Sequence, residues 1–172
     1  LFKNYITPEG EERIKTYKYN SQSDSIVYKY VMGPLANLHL KYFPASIAPN
    51  TITLIAFVFN LIPHFLIIFF TGESLSTKIP RWLAFLTGIF QFLYMHFDNM
   101  DGKQARRTNS SSSLGMLYDH GLDSVSGWMM ALNLGNLIMI GNGLFSYFVL
   151  VLVPVQGFYF TRYQCQYQPN IK

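Results

Sequence analysis

The sequence has 172 residues, of which 50% are hydrophobic and 13% charged, with a net charge of +4. That length builds one domain, and a soluble domain would carry about 25% charged residues. The charge is missing from four long apolar stretches, which excludes an ordinary soluble domain and predicts an all-α integral membrane protein. The basic residues flank those stretches, where they report membrane orientation, so no nucleic-acid partner is expected. The single cysteine, Cys165, leaves no internal disulfide. The chain opens at Leu1 without a secretory pattern and is expected to be a processed or trimmed product.

Residues 1–24 read as a polar N-terminal arm, and 25–172 as a membrane domain. Ser23 or Asp24 is placed to cap a helix over 25–42. Ile26, Val27, Tyr30, Val31, Leu35 and Leu38 recur in it at helical spacing, with Lys29 and Lys41 off that stripe. Two readings fit: an amphipathic helix in the membrane interface, or one packed on protein. Pro44 and Pro49 end it. About four transmembrane helices follow, over 51–71, 79–97, 122–140 and 144–160, each near the ~20 residues that cross the hydrocarbon.

Asn50 stands where an N-cap of the first span would stand, and Pro63 with His64 predicts a protein-facing kink within it. His64 and His96 are expected to be satisfied by neighbouring helices rather than to be ligands, and His39 to lie at the interface. The second span's aromatics (Trp82, Phe85, Phe90, Phe92, Tyr94, Phe97) read as packing and interface anchors. Ser110 to Ser113 reads as a solvated loop. Asn133, Asn136 and Gln156 are expected to hydrogen-bond between helices, and Gly141-Asn142-Gly143 to make a tight connection. Four spans put both termini, and 11 of the 13 basic residues, on one side. That side is therefore the cytoplasmic face, or the matrix face of a mitochondrial membrane.

The loop from Asp98 to Gly121 falls on this face. Asp98 and Asp101 are three apart and Asp119 and Asp123 four apart, so each pair shares a helix face. Four carboxylates brought together would repel unless a cation neutralised them. Hard oxygen ligands favour Mg²⁺ or Mn²⁺, and two such ions are a recurrent device for displacement at phosphorus. Between the pairs, Gly102 and Ala105 allow a ligand close to the backbone, and arginine clamps phosphate with parallel hydrogen bonds. The residues thus suit a metal-bound nucleotide diphosphate.

The stretch Asp98-x2-Asp101-Gly102-x2-Ala105-Arg106-x8-Gly115-x3-Asp119-x3-Asp123 resembles the signature of the CDP-alcohol phosphotransferase family. The run from Asp101 to Gly115, followed by Asp119-His120-Gly121, is similar to the eukaryotic choline/ethanolamine phosphotransferase branch. So are Tyr17-Lys18-Tyr19 and Ala48-Pro49-Asn50-Thr51-Ile52-Thr53 upstream. The resemblance implies that Asp98, Asp101, Asp119 and Asp123 hold two Mg²⁺ or Mn²⁺ ions, which with Arg106 bind the diphosphate. Gly102, Ala105 and Asn50 would line the nucleotide pocket. His120 would take the hydroxyl proton of diacylglycerol, with Asp123 able to serve in its place.

The implied reaction moves phosphoethanolamine or phosphocholine from CDP-ethanolamine or CDP-choline to diacylglycerol and releases CMP. The family further implies the endoplasmic reticulum or Golgi, membrane lipids as partners and a homodimer. Two features depart from the pattern. Met116 stands where this branch usually carries glutamate, and the family core has six spans against four here. They keep open a catalytically degenerate homologue, a structural or lipid-binding subunit of a larger membrane complex, with a mitochondrial inner membrane as its setting. A transporter using the acids as an ion site fits less well, for lack of an internal repeat.

Overall fold

In the computed structural model the described residues are 7–10, 12, 25–72, 74–144, 146–148, 151 and 155. A π-helical turn, Tyr28–Met32, leads into helix α1 (Gly33–Leu40), followed by α2 (Pro49–Thr71), α3 (Arg81–Arg107) and α4 (Ser113–Leu137). Most of the expected arm over 1–24, its caps Ser23 and Asp24, most of the span expected over 144–160, and Gln156 lie outside the described residues.

The helix ends follow from local chemistry and correct the expected boundaries. Ser25 Oγ accepts the Tyr28 N–H (3.4 Å) at the start of the first helical segment. Helix α2 opens on Pro49, whose missing N–H costs nothing at that position, so Asn50 sits inside the first turn and is not an N-cap. Helix α3 runs ten residues past the expected end at 97. It closes with Ser110 N–H on Ala105 O (2.9 Å) and Asn109 N–H on Arg106 O (3.3 Å). Asn109 takes the left-handed conformation (φ 53°) that this closing motif requires. Helix α4 starts at Ser113, well before 122. Ser112 Oγ accepts the Gly115 N–H (3.0 Å), so Ser112 is a cap and not simply part of a solvated loop. A second closing motif, centred on Met139 (φ 51°), ends α4.

The described residues form two compact units. One takes those up to Thr53 together with His96–His120; the other takes Leu54–Met95 together with those from Gly121 onward. In the first unit Ala36, Leu40, Ile52 and Met100 form a core edged by Phe43, Ile47 and Phe97. Three long polar side chains of α3 fasten α1 and the following loop. Lys103 Nζ donates to Gly33 O and Asn37 Oδ1, both at 2.7 Å. Gln104 Nε2 donates to Pro44 O and Ile47 O, both at 3.0 Å. Arg107 Nη1 donates to Leu40 O (2.6 Å) and Phe43 O (2.9 Å). Burial pushes the Lys103 ammonium below the usual lysine range, and the charge of Arg106 adds to this.

The apolar stripe expected to define the first helix faces outward at Ile26, Val27, Tyr30, Val31 and Leu38, while Met32, Gly33, Ala36 and Leu40 pack inward. Gly33 is required there. Its N–H closes the π turn on Tyr28 O, and a Cβ would stand 2.7 Å from that same oxygen.

The second unit buries Ile67, Ile79 and Leu83 in one apolar cluster and Leu75 with Ala131 in another, sets polar side chains beside them, and turns further apolar side chains outward. Leu54, Val58, Ile62, Phe65 and Phe69 of α2 form an exposed stripe, as do Trp82, Phe85, Ile89, Phe92 and Met95 of α3. Asn60, Pro63, Ser126 and Asn133 are buried. Asn60 Nδ2 donates to Ser126 O (3.0 Å), and His64 Nδ1 to Asn133 Oδ1 (2.8 Å). These bonds join α2 to α4, as expected of His64 and Asn133. Asn136 departs from expectation by donating to Leu132 O of its own helix (3.0 Å). Asn142 Oδ1 accepts the Leu75 N–H (2.8 Å), and Gly141 N–H reaches Leu75 O (3.1 Å), which ties the Gly-Asn-Gly connection to the α2–α3 loop. Among the described residues one helix, Pro49–Thr71, is long and apolar enough to cross a membrane.

Gln104→Leu removes two hydrogen bonds to part-buried carbonyls, at a cost of about 0.5–1.5 kcal/mol each. A thermal scan in detergent should show a midpoint lower by about 2–4 °C for each kcal/mol lost. Gly33→Ala should lower the midpoint too, because the backbone oxygen it meets cannot swing aside as a side chain would.

Candidate metal and nucleotide site

The first unit brings together Asp98 and Asp101 of α3 and Asp119 of α4, each offering a ligand oxygen within 4.8 Å of the others. The tight closing motif after α3 and the Ser112 cap of α4 keep the connection to five residues, which sets the two helix ends side by side. Asp101 is buried, at 6% exposure, while Asp98 and Asp119 are half-buried. Two like charges about 4 Å apart repel by about 4 kcal/mol at an effective dielectric of about 20. The cluster therefore favours either a proton or a cation. An all-carboxylate donor set with such mutual approach fits a hard divalent cation.

Asp101 is held from two sides. Thr53 Oγ1 donates to its Oδ2 at 2.6 Å, and the Gly102 N–H to its Oδ1. Thr53 was not singled out from the sequence, although its spacing of three from Asn50 puts the two on one face of α2. Arg106 is exposed, and its guanidinium folds back towards Gly102, where a Cβ would stand 3.6 Å from Arg106 Nη1. Ala105 is half-buried on the same turn. At Gly115 a Cβ would stand 3.1 Å from Ser112 Oγ and 3.4 Å from Asn50 Oδ1. A Cβ there would crowd the Ser112 hydroxyl and come into contact with the Asn50 amide. Asn50, Asp98, Asp101, Gly102, Ala105, Arg106 and Asp119 thus all belong to one unit.

Asp123 follows Asp119 by one turn of α4 and belongs to the second unit, where Tyr94 donates its hydroxyl to Asp123 Oδ1 (2.8 Å). Tyr94, read from the sequence as packing and interface anchoring, is also a carboxylate partner; a phenol inside an apolar run carries no local signal of this. His120 and Met116 are half-buried and four apart on α4. His96 meets His39, with Nδ1 of His39 at 2.7 Å from Nε2 of His96 and the rings edge-on. His39 is therefore a helix-to-helix partner beyond its expected interfacial role.

Residues 46–168 match the profile of the CDP-alcohol phosphatidyltransferase family. The chain is 40% identical to choline/ethanolaminephosphotransferase 2 of Arabidopsis thaliana over 159 residues, 92% of this chain and 41% of that protein. It is 38% identical to ethanolaminephosphotransferase 1 of Homo sapiens over 154 residues, 87% and 39% of the respective lengths. It is 41% identical to choline/ethanolaminephosphotransferase 1 of Saccharomyces cerevisiae over 71% of this chain and 31% of that one. The chain thus spans about two-fifths of the length of the first of these relatives.

Asp119→Asn removes one of three mutually repelling charges. Thermal scans with EDTA should give a higher midpoint than wild type, and Mg²⁺ should no longer raise it. The wild-type chain at a hundredfold excess over Kd should gain about 2.7 kcal/mol.

Proposed function

Because the chain belongs to the CDP-alcohol phosphatidyltransferase family, we propose that it transfers phosphoethanolamine or phosphocholine from CDP-ethanolamine or CDP-choline to diacylglycerol. The observation that carries this reading is the approach of Asp98, Asp101 and Asp119 within the segment the family profile matches. Asp98, Asp101, Asp119 and Asp123 would hold two Mg²⁺ or Mn²⁺ ions, which when bound would neutralise the diphosphate and make its phosphorus a better electrophile.

The chain's own residues do the rest. Arg106 grips a non-bridging phosphate oxygen, and its place over Gly102 keeps that grip close to the backbone. Asn50, Gly102 and Ala105 line the nucleotide, with the Asn50 amide seated against Gly115. His120 takes the proton from the diacylglycerol hydroxyl. The freed oxygen bonds to the β-phosphorus, the bond from that phosphorus to the bridging oxygen breaks, and CMP leaves with the electron pair. The products are CMP and a phosphodiester lipid. Catalysis here is positioning and charge neutralisation, and Asp123, held by Tyr94, is the substitute base. The surroundings on this reading are four spans preceded by an amphipathic helix and a site on the cytoplasmic face, with an endoplasmic reticulum or Golgi membrane and a homodimer implied by the family resemblance alone.

Met116 favours a second reading. A carboxylate one turn before His120 would orient and charge-stabilise the imidazole, and a thioether accepts only weakly. On that reading the chain is a degenerate homologue, serving as a structural or lipid-binding subunit of a larger membrane complex.

In lipid nanodiscs with CDP-ethanolamine or CDP-choline, diacylglycerol and Mg²⁺, the chain should release CMP, and EDTA should stop it. His120→Ala should slow turnover by about 10²- to 10⁴-fold, and Met116→Glu should raise it. A silent wild type beside an active Met116→Glu variant would support the degenerate reading instead.

A further inference from the structure

We propose that Thr53 is a positioning residue whose hydroxyl fixes the Asp101 carboxylate for a divalent cation; this rests on the reading that Asp98, Asp101 and Asp119 hold such a cation. A threonine inside a helix ordinarily turns its hydroxyl to the carbonyl four residues back. For Thr53 that carbonyl is Pro49 O, 3.3 Å away, while Asp101 Oδ2 is at 2.6 Å. The hydroxyl has one proton, and the shorter, charge-assisted bond takes it.

The bond crosses from α2 to α3 within one unit. Both ends are shielded from water, Thr53 at 4% and Asp101 at 6% exposure. Branching at Cβ restricts the threonine to few rotamers, so the donor is stiff. A carboxylate oxygen that accepts one hydrogen bond keeps lone-pair capacity for a metal. Asp101 is pressed by two neighbouring carboxylates, and the hydroxyl supplies, beside the Gly102 N–H, one of the hydrogen bonds that oppose its rotation away from them. Thr53 holds it in the converging orientation, as partners of metal-bound carboxylates do elsewhere.

The test is Mn²⁺ binding to the purified chain in nanodiscs, read from the electron paramagnetic resonance of the free ion with no nucleotide present. Thr53→Val keeps the shape and loses the donor, and should raise the Mn²⁺ Kd about 10- to 100-fold, while Thr53→Ser should stay within about threefold of wild type. Adding Thr53→Val to Asp101→Asn should change nothing further. Melting in EDTA checks that each variant is folded. If the valine variant does not assemble, Thr53→Cys, a weak donor of similar size, takes its place and should bind less tightly than Thr53→Ser. Wild-type affinity in Thr53→Val or Thr53→Cys, with binding lost in Asp101→Asn, would overturn the role of Thr53 and leave the cation reading standing. Absence of Mn²⁺ binding by the wild-type chain would overturn both.

Discussion

Three carboxylates whose oxygens approach within 4.8 Å work against folding. Their repulsion pushes α3 and α4 apart at the point where the two helices meet. Much of the first unit can be understood as what restrains it. The left-handed Asn109 and the Ser112 cap shorten the connection between the helices. Lys103, Gln104 and Arg107 anchor α3 to the segment before α2, and Thr53 keeps the most buried of the acids in place. The repulsion held in this way is not wasted. A cation entering the cluster is attracted by all three charges, so the work done in assembling the site reappears as affinity.

The second unit solves a different problem. Its outward stripes of leucine, valine, isoleucine and phenylalanine gain nothing by meeting one another in lipid, so association falls to close packing and polar contacts. The Asn60–Ser126 and His64–Asn133 bonds supply such contacts one turn apart along α2. A shift of α2 by a residue against α4 would break both, so the pair fixes register as well as adhesion.

The acids and their spacing were legible in the sequence because both pairs lie within single helices, where three- and four-residue intervals have a fixed geometric meaning. The place of Arg106 over Gly102 is legible for the same reason. Helix ends were not. Hydropathy falls off after Phe97, yet α3 continues, because the polar residues that follow find carbonyl partners in a distant segment. Pro49 displaces Asn50 from the cap through its fixed backbone angle, a choice between neighbours that propensity alone does not rank. Thr53 and Tyr94 look like filler within apolar runs. Their value lies in partners 48 and 29 residues away, which only the folded chain supplies. His39 and His96 became a pair for the same reason.

The anchoring of α3 has one chemical peculiarity. Each of its six bonds ends on a carbonyl or amide oxygen, and none on a carboxylate. Attraction between a donor and a neutral dipole acts at contact range and is little affected by dissolved ions, which weaken exposed charge pairs over a Debye length of about 8 Å. Nor can mild acid unfasten it, since these acceptors take up no proton near neutrality. The helix that carries Asp98 and Asp101 is therefore tethered by a joint that added salt and mild acid do little to loosen.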